Sequence, residues 1–166
     1  QKHVLRILRE VLFHPNQSKG TDLNEGLRFI NRVMRRRAVV FLLSDFIIPE
    51  YDSTEESLED LFFKELAATR RKHDLVCARI HDPCELEIPN VGIVRLEDAE
   101  TGEKIIVDTS QANFREEYAQ TLKEEREEFG KRLRRRGVDS FEFATDSDYV
   151  GTLQEFFRMR EVRRNR

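Results

Sequence analysis

Ala38-Val39-Val40-Phe41-Leu42-Leu43-Ser44-Asp45 decides how this chain is read. An unbroken apolar run this short, between polar flanks, does not suit a helix. It predicts a strand buried on both faces, as in a parallel sheet covered by helices. Upstream, Leu23, Leu27, Ile30 and Met34 recur at helical spacing and line the buried side of a helix beginning near Thr21. Before that, Val4, Leu5, Leu8, Val11 and Leu12 mark one face of a helix from His3 to Phe13, stopped by Pro15, with a polar loop from Asn16 to Gly20.

Downstream, Leu58, Leu61, Phe62 and Leu66 predict a third helix, and Leu75 to Ile80 a second buried strand. Helix, strand, helix, strand is the rhythm of crossover units in an α/β fold. The rhythm then breaks. Ile93 to Leu96 and Lys104 to Val107 predict an inserted β-hairpin with its turn near Thr101-Gly102. A long helix follows from Ala112 to Arg136, with Phe114, Tyr118, Leu122, Phe129 and Leu133 as its apolar stripe and Gly137 as its stop. Thr109 or Ser110 is expected to cap it. Val138 to Ala144 alternates as an edge strand, and Thr145 to Asp148 offers cap oxygens for a last helix buried through Tyr149, Val150, Leu153, Phe156 and Phe157. Nothing divides the chain, so residues 1–157 are expected to form one domain and residues 158–166 a basic tail.

The 166 residues suffice for one core, and no apolar run approaches the ~20 residues that span a bilayer. Gln1 leads straight into an amphipathic segment, so no signal peptide is expected. The two cysteines, Cys77 and Cys84, lack zinc-ligand spacing and fit a reducing compartment, so a cytoplasmic location is expected. A net charge of -3 gives no reason to expect nucleic acid. The basic clusters at Arg35 to Arg37, Arg70 to Lys72 and Arg132 to Arg136 sit at helix ends, where cations complement the macrodipole.

Ligands of open parallel sheets bind beyond the carboxyl ends of the strands. Asp45 stands at such an end, and Thr21 starts a helix after Gly20. A hydroxyl and a carboxylate brought together there suit Mg²⁺, a hard cation that prefers oxygen. Equally, Thr21 is a helix cap with Asp22 and Glu25 in the first turn, and Asp45 caps a turn.

Gly20-Thr21-Asp22-Leu23 followed by Val39 to Phe46 resembles the later half of a von Willebrand factor A domain. His73-Asp74-Leu75-Val76, Ile80-His81-Asp82-Pro83, Val91-Gly92-Ile93-Val94, Val107-Asp108-Thr109, Gly137-Val138-Asp139 and Thr145 to Val150 resemble its bacterial branch, the domain of unknown function 58 family. The resemblance implies a Rossmann-like fold whose first strands are missing here. It also implies two parts of a metal-ion-dependent adhesion site, Thr21 and Asp45, with Gly20, Asp22 and Ser44 beside them. The third part, Asp-x-Ser-x-Ser, does not precede Thr21, so this chain alone is expected to carry no cofactor. Mg²⁺ belongs to the intact domain.

The same resemblance implies a non-catalytic protein-binding module that acts with a MoxR-type AAA+ ATPase in assembling or activating other complexes. Longer family members often carry membrane-spanning segments upstream. Two other classes stay open. In one, Asp45 is the nucleophile of a Mg²⁺-dependent phosphoryl-transfer enzyme, although Asp45-Phe46-Ile47 lacks a second acid and no phosphate loop occurs. In the other, the domain is purely structural and self-associates through the edge of the Ala38 to Leu43 strand, unless the His3 to Phe13 helix covers it.

Overall fold

The computed structural model describes residues 2–13, 21–48, 57–97 and 102–164. Its centre is a three-stranded parallel sheet. Strand β1 (Val39–Ser44) pairs with β2 (Asp74–His81), and β2 pairs with β5 (Asp139–Ala144). Leu42 stands beside Cys77 and Ser140, and Leu43 beside Ala78 and Phe141, so each row of the register belongs to one face. A second, antiparallel sheet is the expected hairpin, β3 (Ile93–Glu97) with β4 (Lys104–Asp108). Gly102, at φ +74°, takes the conformation such a turn needs, while Thr101 lies outside the described residues.

Helices α1 (Lys2–Phe13), α2 (Leu23–Val33), α3 (Leu58–Lys72), α4 (Pro83–Leu86), α5 (Ala112–Arg135) and α6 (Tyr149–Arg164) complete the chain. Their ends follow local chemistry. Asp22 caps α2 by accepting from the backbone N–H of Asn24 and Glu25. Ser57 caps α3, and Arg70, Arg71 and Lys72 fill its last turn. Asp82 and Glu85 form a reciprocal capping box around α4, with Pro83 in its first turn. Arg136 is the C-cap of α5, and Gly137, at φ +66°, is the left-handed residue just past it that stops the helix.

One face of the sheet carries the core. Leu27 of α2, Phe62, Phe63 and Leu66 of α3, and Phe129 and Leu133 of α5 close over Val40, Leu75 and Cys77. Phe62, Phe63 and Leu66 are completely buried, each worth about 1.5–3 kcal/mol of transfer free energy. Helices α2 and α3 are also stitched together by polar contacts. Asn31 donates to Thr69 Oγ1 at 2.7 Å, and Arg28 pairs with Glu65 at 2.9 Å. The other face is covered by α6, through Phe156 on Phe141 and Phe157 on Phe41. Arg160 fastens this helix to the start of the sheet, donating to Asp74 at 2.6 Å and Asp139 at 2.9 Å.

The parallel sheet flanked by helices agrees with the sequence and is compatible with a Rossmann-like fold. Several finer expectations fail. β1 is not buried on both faces: Val40 is covered, but Val39 and Leu43 are 56% and 57% exposed. Among the described residues, α6 is the helix on that side, and Val39 and Leu43 stay exposed beside it. Met34 ends α2 as an exposed cap residue rather than lining its buried side. In α6 only Phe156 of the expected buried set is buried, because a single helix against a narrow sheet covers one narrow stripe. That helix runs on to Arg164, so most of the expected tail is helical. Neither Thr109 nor Ser110 is the cap; Gln111 holds the N-cap position of α5 and makes no side-chain capping bond, its amide donating instead to Asp108. Thr109 is instead buried, donating to the Gly92 carbonyl at 2.7 Å and accepting from the Val91 N–H.

Replacing Phe62 by alanine should cost about 3–5 kcal/mol in chemical denaturation. Phe157→Ala, at a site 43% exposed, should cost far less. Equal losses would contradict this assignment of the core.

Candidate functional site

At the carboxyl end of β1 the chain turns sharply. Asp45 Oδ1 accepts from the Ser44 hydroxyl at 3.1 Å and from the Ile47 N–H at 3.2 Å, and the Phe46 N–H donates to Ser44 Oγ at 3.0 Å. These bonds hold Phe46 at φ 59°, a left-handed backbone that bulky residues avoid. Its ring is thereby buried against Phe62 and Phe129. Ser44 and Asp45 therefore shape this turn, and Asp45 remains solvent-exposed beyond it.

Thr21 lies two residues before α2, exposed, and among the described residues it forms no hydrogen bond. The capping role expected of it belongs to Asp22. Gly20 lies outside the described residues. No described contact joins Thr21 to Asp45, and one oxygen of Asp45 is already committed to its own turn. Among the described residues no three His, Cys, Asp or Glu side chains are grouped to hold a metal. Mg²⁺ demands near-octahedral oxygen coordination, and Asp45 Oδ1 is already taken up by the turn.

What does gather at the strand ends is a charged, aromatic cleft. Two adjoining cavities of about 520 and 500 Å³ share Phe46, Arg79, Leu86, Leu122, Arg126 and Phe129. Arg79 points from β2 onto the same face as Cys77, with its guanidinium 4.5 Å from the Phe129 ring centre and 5.8 Å from that of Phe46. Burial pushes its pKa down, while Glu142 favours the charged form; Arg126 opposes it and Asp45 favours it more weakly. Arg126 is paired with Glu142 at 2.5 Å and approaches His81 Nδ1 at 3.4 Å. Tyr118 donates to the Glu85 carbonyl at 3.1 Å, and burial, with Glu85 and Glu125 nearby, raises its pKa.

Sequence reasoning centred on Thr21 and Asp45 missed Arg79 and Arg126. A signal was present: Arg79 is the one charge inside the run Leu75 to Ile80, and a strand buried from Leu75 to Ala78 carries the arginine that follows partly inside.

The cysteines behave differently from one another. Burial lifts the Cys77 thiol to about 12, so it stays protonated and unreactive. Cys84 is exposed, and a hydrogen bond to Asp82 holds its thiol above the usual range. With a chromogenic thiol reagent at mildly alkaline pH, Cys84 should react in the folded protein and Cys77 only on unfolding. Simultaneous labelling would contradict the burial of Cys77. Titration calorimetry with MgCl₂ should show no tight, stoichiometric binding; a micromolar site would overturn the reading of Thr21 and Asp45.

Comparison with known proteins places this geometry in context. An uncharacterized protein MAV169 from Mycobacterium avium is 26% identical over 158 residues, covering 93% of this chain and 86% of the relative. The uncharacterized proteins Rv1480 of Mycobacterium tuberculosis and Mb1516 of Mycobacterium bovis are each 25% identical over 164 residues. The chain spans about half the length of these two, 48% in each case. No solved structure matches the chain significantly. The family profile described as "Protein of unknown function DUF58" matches residues 1–128, and with that share of its length the chain belongs to this family.

Proposed function

We propose that this chain is a non-catalytic protein-interaction domain of von Willebrand factor A type, which acts with a MoxR-type AAA+ ATPase in assembling or activating other protein complexes. The carrying observation is the outer side of β1. Among the described residues this strand pairs on one edge only, and Val39, Phe41 and Leu43 leave an apolar row exposed on its outer face. Helix α1 buries none of its residues, so it does not cover that row. An unpaired strand edge beside exposed apolar side chains is a template for a strand or helix from another chain.

Neither Mg²⁺ nor Asp45 chemistry enters this reading, since the Asp45 carboxylate serves its own turn. Self-association through the same edge competes with partner binding. Both are favoured by the same exposed row, and they differ in concentration dependence. No described helix is long and apolar enough to cross a membrane.

The test is binding of the purified chain to a purified MoxR-type ATPase encoded beside a family member, followed by sedimentation velocity. Complex formation should weaken at least about tenfold in Leu43→Lys, because a charge would be desolvated in the contact, while the Glu103→Gln surface variant should bind as the parent does. Absence of any complex sinks the ATPase reading. A reversible dimer that Leu43→Lys abolishes would replace it with self-association.

A further inference from the structure

The face of the sheet opposite the exposed β1 row holds an unassigned feature, the Arg79 guanidinium in the cleft. From its position on β2 it lines both cavities. It stands over two neighbouring aromatic rings, 4.5 Å from the centre of Phe129 and 5.8 Å from that of Phe46. Among the described residues, its N–H groups make no hydrogen bond, and no carboxylate lies within ion-pair distance. Three other arginines packed against this sheet and its helices are paired: Arg126 with Glu142, Arg132 with Asp60 and Glu59, Arg160 with Asp74 and Asp139. A half-buried guanidinium with unsatisfied donors destabilises a fold unless something answers it. Buried charge in a cleft at strand ends is a recurring mark of a ligand site.

We infer that Arg79 anchors a ligand that carries a single carboxylate on an apolar body. The guanidinium presents paired N–H donors that match a carboxylate in two-point geometry. The acids around the cleft decide against a more highly charged ligand. Asp45, Glu59, Glu85 and Glu125 all line the second cavity. The first three are engaged, in the β1 turn, with Arg132, and in the α4 capping box respectively. Their negative field would still repel a phosphate dianion. In the second cavity a monoanion matches the Arg79 guanidinium, since Arg126 is paired and Lys123 and Arg134 line only the first. The remaining walls, Phe46, Leu86, Leu122 and Phe129, supply apolar surface, and a cavity of about 500 Å³ lies in the range of small-ligand pockets. The carboxylate can belong to a free organic acid or to the C-terminus of a peptide with an apolar last residue. This site does not depend on the β1 interface, which lies on the other face.

The experiment is a titration of the full chain followed by ¹H–¹⁵N correlation spectra, including the arginine Nε–Hε region. Three probes are used: 4-phenylbutyrate, N-acetyl-alanyl-phenylalanine with a free C-terminus, and the same dipeptide as its C-terminal amide. One or both carboxylates should give saturable shifts of the Arg79 Nε–Hε signal, and the amide none. Saturation by phenylbutyrate alone identifies a free acid as the ligand class, and saturation by the dipeptide a chain terminus. Arg79→Met should weaken binding at least about tenfold, the loss expected for a charged hydrogen-bonded pair. It should also melt at or above the parent temperature, because an unanswered charge is removed while the stem packing stays. Leu122→Trp, which fills the cavity and leaves Arg79 in place, should weaken binding as well. Non-saturating shifts, binding of the amide equal to the acid, or unchanged affinity in Arg79→Met each overturn the site. So does a marked drop in the melting temperature of Arg79→Met, since Arg79 would then be a packing residue of the Phe46 and Phe129 layer.

Discussion

Phe46 takes a backbone conformation that L residues avoid, and much of the molecule is arranged around the reason. At φ 59° it carries a penalty of roughly 1–2 kcal/mol. Burying its ring returns about 1.5–3 kcal/mol, and the Ser44 and Asp45 side chains hold the turn from both sides. The ring it delivers stands 6.1 Å from Phe62 and 5.0 Å from Phe129. That aromatic layer joins three elements distant in sequence: the end of β1, the start of α3 and the middle of α5. Were residue 46 in an ordinary extended conformation, its side chain would leave this layer, and the floor of the cleft would go with it.

The same turn gives Asp45, a candidate site residue in the sequence, a structural role through one of its two oxygens. A carboxylate just past a parallel strand has two ordinary uses, to meet a ligand or to accept from the backbone N–H two residues on. Composition and spacing do not separate them. The separating fact is the conformation of Phe46, which depends on a ring packed against residues far along the chain. For Thr21 the decision was more local. Asp22, one residue later, has the shorter and stronger acceptor for an N-terminal cap, and it took the role.

Strands, their parallel pairing and the hairpin were legible because their signals are local and periodic: the apolar runs at Val39 and Leu75, the alternation of Phe141 with Phe143, and Gly102 in a turn. Burial was less legible, since periodicity says which residues share a face and not how much of that face is covered. β1 illustrates the difference. Its run of apolar residues matched a doubly covered strand, yet α6 reaches Phe41 and stops short of Val39 and Leu43. Arg160 is part of the cause. Its bonds to Asp74 and Asp139 hold α6 over β2 and β5, which draws the helix away from β1.

Two surfaces of different chemistry result, separated by the thickness of one sheet. On the outer face an apolar row lies along an open strand edge, suited to backbone pairing and hydrophobic contact. On the inner face the Arg79 guanidinium, without an acid partner among the described residues, stands over the Phe129 and Phe46 rings. β2 is common to both, since Ala78 packs toward the outer face and Cys77 and Arg79 toward the inner. Its side chains alternate between them at adjacent positions. Because β1 has no second neighbour among the described residues, its position depends on β2 and on the Phe46 turn.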